Sequence, residues 1–258
     1  MTRLLTLALA GVALAAPDSL AAQDFHWTGT LAAGKQLEIR GVNGDIEATL
    51  APGNEIEVSA RKTAHRSDPA SVEIQVVPSD EGVTICAVYP TGRHARHENR
   101  CEPGGGGQDT ENNDVVVHFT VKVPAGVRFS ASTVNGDVTA TALKSDADLS
   151  TVNGGIHAST SGTVEAETVN GSIDAAMGRA DWTGEASFTT VNGELDLTLP
   201  GNLSAEVRAE TVNGDLESDF PLTVSGKFGP RHLRGTIGNG GRRLNLTTVN
   251  GSIRLRKA

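Results

Sequence analysis

The tripeptide Val-Asn-Gly occurs seven times in this chain, and this recurrence constrains the fold more than any other feature. Thr precedes six of the copies, Gly41 precedes the first, and an aliphatic residue stands two positions after each Gly. Recurring units of this kind are typical of repeat architectures, in which neighbouring units share one core. The predicted turn residues are Asn43, Gly44, Asn135, Gly136, Asn153, Gly154, Asn170, Gly171, Asn192, Gly193, Asn213, Gly214, Asn250 and Gly251.

The spacing of the copies is nearly regular from the second one onward. These six copies begin at residues 134, 152, 169, 191, 212 and 249, so the last interval is about twice the length of the others. Residues 226–241 lie in that interval and read as a loop-like stretch that replaces one tripeptide. Weaker turn signals between copies, such as Ser161-Gly162, indicate two short strands and two turns in each repeat.

Within each repeat, residues of one phase are apolar. Val134, Val138 and Ala140 share a phase in the second copy, and the same pattern recurs in the next two. Side chains alternate between the two faces of a strand. We therefore expect the Val of each tripeptide and the aliphatic residues after it to face a core. The intervening Thr, Ser, Asp and Glu are expected to face water.

The Asn-Gly pair allows two architectures. Both residues tolerate positive φ, so the pair suits a two-residue hairpin. It equally suits a corner of a β-solenoid, where Thr and Asn side chains stack into ladders along successive coils. The regular spacing favours the second interpretation, an all-β, β-solenoid-like stack of short strands with Asn-Gly corners. A meandering hairpin sandwich stays open as the alternative.

The first half of the mature chain is predicted to be an irregular β region. Alternating segments bounded by Gly, Pro and Asn predict strands at residues 37–40, 46–50, 56–60, 72–76, 83–88 and 115–123. Residues 90–114 interrupt this pattern as a long polar loop. We therefore divide the chain into an N-terminal β region, 23–129, and a repeat region, 130–258; the alternative is one continuous domain over 23–258.

The first 22 residues have the features of a secretory signal peptide. Arg3 precedes an apolar run over residues 4–16, and small residues follow at Ser19, Ala21 and Ala22. The run is shorter than the roughly 20 residues that span a bilayer. No later segment is long and apolar enough to span one, so the mature chain is predicted to be exported. Its expected location is the periplasm, the cell surface or the medium.

Charge and composition exclude some classes of partner. The net charge is −9, whereas nucleic-acid binding needs a cationic footprint. Aromatic residues make up only 3% of the chain, which disfavours the stacking platforms of sugar-binding clefts. No pair of carboxylates stands out as a glycosidase pair, and no nucleophile elbow, zinc-protease motif or phosphate loop is present. We predict no catalytic residue, no metal and no cofactor.

The two cysteines, Cys86 and Cys101, are predicted to form a disulfide in an oxidising compartment. The alternative is a zinc site made with His94 and His97, but the paired Cys-x-x-Cys spacing that supports such sites is absent. The same loop carries Arg93, Arg96 and Arg100. This basic cluster would suit acidic glycans or phosphate groups, or is simply a solvated loop.

The residue that follows each tripeptide is a second candidate for metal binding. Several of these residues are acidic, and aligned carboxylates suit Ca²⁺. The simpler interpretation is that they favour the turn and solvate the strand. The positions are Asp45, Asp137, Gly155, Ser172, Glu194, Asp215 and Ser252.

Taken together, these elements resemble a bacterial family of proposed adhesins built on the toast-rack domain, long catalogued as a domain of unknown function. The resemblance rests on residues 41–46 (Gly-Val-Asn-Gly-Asp-Ile), on the valine-rich strand that ends in residues 123–127, and on the repeated Thr-Val-Asn-Gly units. It covers nearly the whole mature chain. It implies a β-solenoid-like, envelope-associated, non-enzymatic protein, and it carries no shared catalytic motif.

We therefore predict an exported, non-enzymatic envelope protein that presents a rigid β-repeat surface, either adhesin-like or as a scaffold. The alternative is a component of envelope-stress sensing that binds a membrane partner. A carbohydrate-active β-solenoid enzyme is a remote third alternative. The expected partner is an envelope protein or a glycan, and the sequence does not define an oligomeric state.

Overall fold

The computed structural model describes residues 23–105, 108–224 and 231–258. The predicted signal peptide, residues 1–22, lies outside the described part of the chain. Within these ranges, none of the helical segments has the length and apolar character needed to cross a membrane.

Short β-strands make up most of the described chain, together with one 3-10 turn at Pro69–Ser71. The strands of the first half are β1 (Gln23–Gly29), β2 (Gln36–Arg40), β3 (Ile46–Leu50), β4 (Ile56–Thr63), β5 (Glu73–Ser79), β6 (Gly82–Val88) and β7 (Val116–Val123). Those that follow are β8 (Arg128–Ser132), β9 (Val138–Leu143), β10 (Ala147–Ser150), β11 (Ile156–Thr160), β12 (Val164–Glu167), β13 (Ile173–Met177) and β14 (Glu185–Thr189). The last are β15 (Leu195–Leu199), β16 (Ala205–Glu210), β17 (Leu216–Ser218), β18 (Thr223–Val224), β19 (His232–Ile237), β20 (Arg242–Thr247) and β21 (Ile253–Lys257).

The strands form two sheets, and each Val-Asn-Gly corner carries the chain from one sheet to the other. The front sheet has the order β1-β4-β7-β3-β9-β11-β13-β15-β21-β17. The back sheet has the order β18-β19-β16-β20-β14-β12-β10-β8-β2-β6-β5. The coils formed in this way are β2–β3, β8–β9, β10–β11, β12–β13, β14–β15, β16–β17 and β20–β21. The predicted all-β, solenoid-like stack with Asn-Gly corners is confirmed.

The core consists of aligned aliphatic rows between the two sheets. Ile46, Val138, Ile156, Ile173 and Leu195 stand in register on successive front-sheet strands, and each is at most 2% exposed. This confirms the predicted phase of the aliphatic residue that follows each corner. Burial of a side chain of this size contributes roughly 1.5–3 kcal/mol, and the contribution depends on the neighbouring coil.

Antiparallel strands close both ends of the parallel stack. At the N-terminal end, β4 pairs antiparallel with β7 and β1, and β5 pairs antiparallel with β6. At the C-terminal end, β19 pairs antiparallel with β16 and β18. A repeat stack needs such capping because its end coils otherwise leave a core face and strand edge open. The predicted strands of the first half are present, whereas β1 was not predicted.

The last coil does not follow the preceding one in the stack. β20 lies between β14 and β16, and β21 lies between β15 and β17. Coil β16–β17 therefore lies one coil away from coil β14–β15. The C-terminal coil β20–β21 fills the space between them. The loop-like interpretation of residues 226–241 is wrong for His232–Ile237, which form a capping strand; residues 225–230 lie outside the described residues.

The division predicted at residue 130 falls inside β8. Strands from both sides of it pair directly, β2 with β8 and β3 with β9. A single hydrophobic cluster runs from Leu37 to Leu255 through both regions.

Candidate functional site

A ladder of asparagine side chains runs along the corner edge of the stack. Six of the seven amide nitrogens donate to the amide oxygen of the neighbouring coil at 2.7–2.8 Å, and these six side chains are exposed. The amide nitrogen of the half-buried Asn43, at the end of the ladder, donates to the carbonyl of Val115. The order along the ladder is Asn43, Asn135, Asn153, Asn170, Asn192, Asn250 and Asn213. We call the Val and Asn residues of the seven corners the corner ribbon. Most of these amides donate a hydrogen bond to one neighbour and accept one from the next, and the ribbon is therefore rigid.

The threonine that precedes each corner faces the core, contrary to the prediction. Thr151 and Thr168 are 4% and 1% exposed. Each hydroxyl donates to the carbonyl oxygen of the corner glycine in the neighbouring coil, at 2.9 Å for Thr168 and Gly154. Donation to a buried carbonyl offsets the cost of burying the hydroxyl. The same contact recurs at Thr133, Thr190, Thr211 and Thr248.

The valine of every corner after the first points to solvent, which again corrects the prediction. The inward-facing residues on the two sides of a corner, such as Thr133 and Val138, are an odd number of positions apart. The two-residue alternation of faces therefore does not continue through the turn. Val134, Val152, Val169, Val191, Val212 and Val249 are 36–51% exposed. With strands about 4.8 Å apart, the seven rungs extend over about 29 Å. The ribbon is thus a straight row of apolar groups beside a row of amides.

The corner glycines are required by close approach of the backbone, not by positive φ as predicted. Among the seven corner glycines only Gly44 has positive φ, 120°. A Cβ built on Gly171 would lie 1.9 Å from the carbonyl oxygen of Gly154. The equivalent distances at Gly136, Gly154, Gly193, Gly214 and Gly251 are 1.9–2.2 Å. Any side chain here would force neighbouring coils apart.

The residues that follow each Gly form a third row, which is structural. Asp45 accepts from the N–H of Asp137 at 2.9 Å, and Asp137 accepts from the N–H of Gly155 at 2.7 Å. Ser172 and Ser252 make the same contact to Glu194 and Asp215. In the described ranges no three His, Cys, Asp or Glu side chains come together as a metal site. The carboxylates of Asp45 and Asp137 thus join neighbouring coils.

The loop between β6 and β7 covers one end of the ribbon. Cys86 and Cys101 form a disulfide, so their sulfurs do not serve as zinc ligands with His94 and His97. Val42, the valine of the first corner, is only 8% exposed. It lines a small cavity with Arg100 and Gln108 of the loop. The ribbon is thus closed at the first rung and open along the other six.

Hydrogen bonds within this loop fix its path. Asn99 donates to the carbonyl of Asp109 at 2.9 Å and accepts from its N–H at 2.9 Å. Gln108 donates to the carbonyl of Ala87 at 2.6 Å. The buried Tyr89 hydroxyl donates to the carbonyl of Val115 at 2.9 Å. Burial raises the pKa of Tyr89 to about 12, so the phenol keeps its proton.

The basic cluster of the loop is solvated. Arg93, His94, Arg96 and His97 are exposed, and Arg100 forms an exposed ion pair with Glu102 at 2.6 Å. Arg100 lines the small cavity beside Val42.

A shallow cleft of about 400 Å³ on the back sheet was not predicted. Asp148 and Glu165 stand in register on β10 and β12 and line it, under the segment that carries Trp182. Both carboxylates stay partly in contact with solvent. Partial desolvation raises the pKa of Asp148, and Glu38 and Glu167 raise it further. Desolvation and Asp148 likewise raise the pKa of Glu165. Only the stacking register brings these residues together, so alternation in the sequence gave no sign of it.

Neither aromatic residue of this cleft presents a platform, and Phe129 is 1% exposed. Trp182 is 7% exposed and its Nε1–H donates to the carbonyl of Arg243 at 3.0 Å. Arg128 and Arg179 also line the cleft, and Arg179 pairs with Asp181 at 2.7 Å. The cleft therefore combines acidic and basic side chains with buried aromatic rings.

Fold and surface define a capped, two-sheet β-solenoid repeat protein with a rigid exposed corner ribbon. The family model described as Toastrack DUF4097 matches residues 34–256. The chain belongs to this toast-rack family, as the resemblance in its sequence implied.

The chain is similar to solved structures at low sequence identity. A proposed cell adhesion protein from Clostridium sporogenes superposes with a TM-score of 0.50 at 12% identity, covering 92% of this chain and 100% of that one. A proposed adhesin from Bacteroides fragilis gives a TM-score of 0.40 at 13% identity, over 92% and 98% of the two chains. A comparison with curated proteins found no match. The likeness to the Clostridium protein supports the two-sheet β-repeat fold.

Proposed function

We propose that this chain is an exported, non-enzymatic envelope protein that binds its partner along the corner ribbon. The observation that carries the proposal is the row of exposed valines beside a continuous amide ladder. A soluble protein rarely exposes regularly aligned apolar side chains without a binding role. The back-sheet cleft carries mixed charges, whereas the ribbon repeats one chemical pattern along its open rungs.

Rigidity supports a binding role. The Asn ladder, the buried Thr hydroxyls and the Gly contacts all join neighbouring coils at the same corner. A surface that is already ordered loses little conformational entropy when it binds. An extended partner, an envelope protein strand or a glycan, would engage several rungs at once and gain from each.

A non-enzymatic role is supported by the absence of converging reactive groups at the ribbon. Its rungs contain amides and methyl groups, neither of which acts as a general acid or base at neutral pH. The back-sheet cleft does contain two carboxylates with raised pKa values. However, Phe129 and Trp182 of the cleft are buried and offer no face for stacking a sugar ring.

Protease treatment of intact and broken cells tests the location that this function requires. The exposed Arg66, Arg93 and Arg96 offer trypsin cleavage sites on the mature chain. We expect peptides from residues 23–258, and none from 1–22, either on intact cells or after the envelope is opened. Release from intact cells would support adhesion, and release only after opening would favour a periplasmic partner, as in envelope-stress sensing. A cytoplasmic protein that keeps residues 1–22 would contradict the proposal.

A further inference from the structure

The front sheet ends in an unprotected strand. In the described ranges, no strand pairs with the outer edge of β1, whose inner edge pairs with β4 from Gln23 to Gly29. A free edge of this length is a template for pairing with another strand, and proteins usually protect such edges with Pro, Lys, a bulge or a covering loop. β1 contains no Pro, Lys or Arg and pairs with β4 in a continuous register without a bulge; Asp24 is its one carboxylate.

The other three sheet edges are protected. β17 has three residues and β18 has two. β5 is longer, but it contains Pro78, and Cys101 of the loop lies against it, with Sγ 3.9 Å from the carbonyl oxygen of Gln75. The contrast singles out β1 as the one long open edge of the described sheets.

The side chains of β1 complement a second copy of the same strand. Antiparallel pairing centred on His26 sets Phe25 opposite Trp27 of the other copy, twice, and Asp24 opposite Thr28. Phe25 and Trp27 pack on the core but are only partly buried at this edge. Cross-strand aromatic pairs are among the favourable ones, and no like-charged carboxylates or ammonium groups face each other in this register.

We propose that the mature protein forms a twofold dimer in which β1 pairs antiparallel with β1 of a second copy, joining two front sheets into one. Removal of residues 1–22, predicted from the sequence, leaves β1 at the N-terminus and gives the second copy access to it. This inference does not depend on the corner ribbon.

Cysteine crosslinking tests the register directly. Both native cysteines are in the disulfide, so no free thiol competes. Opposed Cα atoms in an antiparallel pair are about 4.5–5.5 Å apart, within the range for a disulfide. His26→Cys is expected to give a covalent dimer on mild oxidation, and Asp24→Cys mixed with Thr28→Cys is expected to give the mixed dimer. The matched control is Thr120→Cys, which is exposed on the same sheet two strands from the edge.

Sedimentation of the mature protein gives an independent readout. We expect a monomer–dimer equilibrium whose Kd rises about fivefold in His26→Lys, because two like charges then face each other across the axis. Thr120→Lys should leave the Kd unchanged, and both variants should melt like the wild type. A monomer at all concentrations, or crosslinking of Thr120→Cys as fast as His26→Cys, would overturn the proposal. Dimers that crosslink through His26→Cys but not in the Asp24→Cys and Thr28→Cys mixture would overturn the register.

Discussion

The carbonyl oxygen of Gly154 lies 1.9 Å from the place where a Cβ on Gly171 would stand. Gly171→Ala should therefore push two coils apart and weaken the hydrogen bonds on either side of the corner. Overpacking of this kind costs about 3 kcal/mol. Denaturant unfolding of the purified mature protein measures the change.

The same corner region offers a matched control for this substitution. Gly155 is next to Gly154 in sequence, and a Cβ there would meet nothing closer than 3.4 Å. Gly155→Ala should leave the free energy of unfolding within about 0.5 kcal/mol of wild type. Equal losses in the two variants would show that close approach is not the reason for glycine at the corners.

The asparagine ladder predicts a difference between its middle and its end. Asn170 donates to Asn153 and accepts from Asn192, whereas Asn213 makes one ladder bond, to Asn250. Asn170→Ala should lower the free energy of unfolding by about 2 kcal/mol and Asn213→Ala by about 1 kcal/mol, since each bond contributes about 1 kcal/mol. Chemical denaturation of both variants checks the ratio. A larger loss at Asn213 than at Asn170 would contradict a ladder that acts through paired bonds.

The buried threonines predict a dependence on the hydroxyl and not on side-chain shape. Thr168→Val keeps the volume but removes the donor to the Gly154 carbonyl, and should cost about 2 kcal/mol. Thr168→Ser keeps the donor, loses one methyl group and should cost less, about 1 kcal/mol. Thermal unfolding of both variants distinguishes the two contributions. Greater stability of the Val variant would mean that the hydroxyl has no structural role.

The acidic cleft predicts a stability effect that depends on pH. The folded state raises the pKa of Asp148, so the folded state loses stability as the pH rises above the unfolded pKa, and the full loss is reached above the folded pKa. Asp148→Asn should therefore raise the melting temperature at neutral pH, and the gain should shrink as the pH falls through about 4. Melting curves across this range test the sign, with Glu55→Gln in an exposed turn as the control. A lower melting temperature for Asp148→Asn at neutral pH would show that the carboxylate stabilises the fold.

The sequence was sufficient for the part of the fold that repeats. Alternation predicted the core row from Ile46 to Leu195, and tripeptide spacing predicted stacked coils. At the corners the prediction assigned Thr to the solvent face and Val to the core, which is the reverse of the structure. The reason is that the alternation of faces changes phase between Thr133 and Val138. Positive φ was the wrong explanation for Gly because the crowding comes from the neighbouring coil, which local sequence does not specify.

The functional surfaces depend on contacts between distant residues. Asp148 and Glu165 are ordinary outward-facing acids until the register of β10 and β12 sets them side by side. β20 and β21 lie inside the stack because coil β16–β17 does not pair with coil β14–β15, so the facing edges of these two coils are open to them. The doubled last interval signalled an irregularity there but did not give its form.

The most direct test of the binding surface compares two triple variants in a binding assay with isolated cell envelopes. One changes Val152, Val169 and Val191 of the ribbon to Lys. The other changes Ser159, Ala176 and Thr198, a half-buried row on the outer face of the front sheet in the same coils, to Lys. The two carry the same added charge. We predict that the wild type and the front-sheet variant bind equally and that the ribbon variant loses binding while melting normally. Undiminished binding by the ribbon variant would contradict the account.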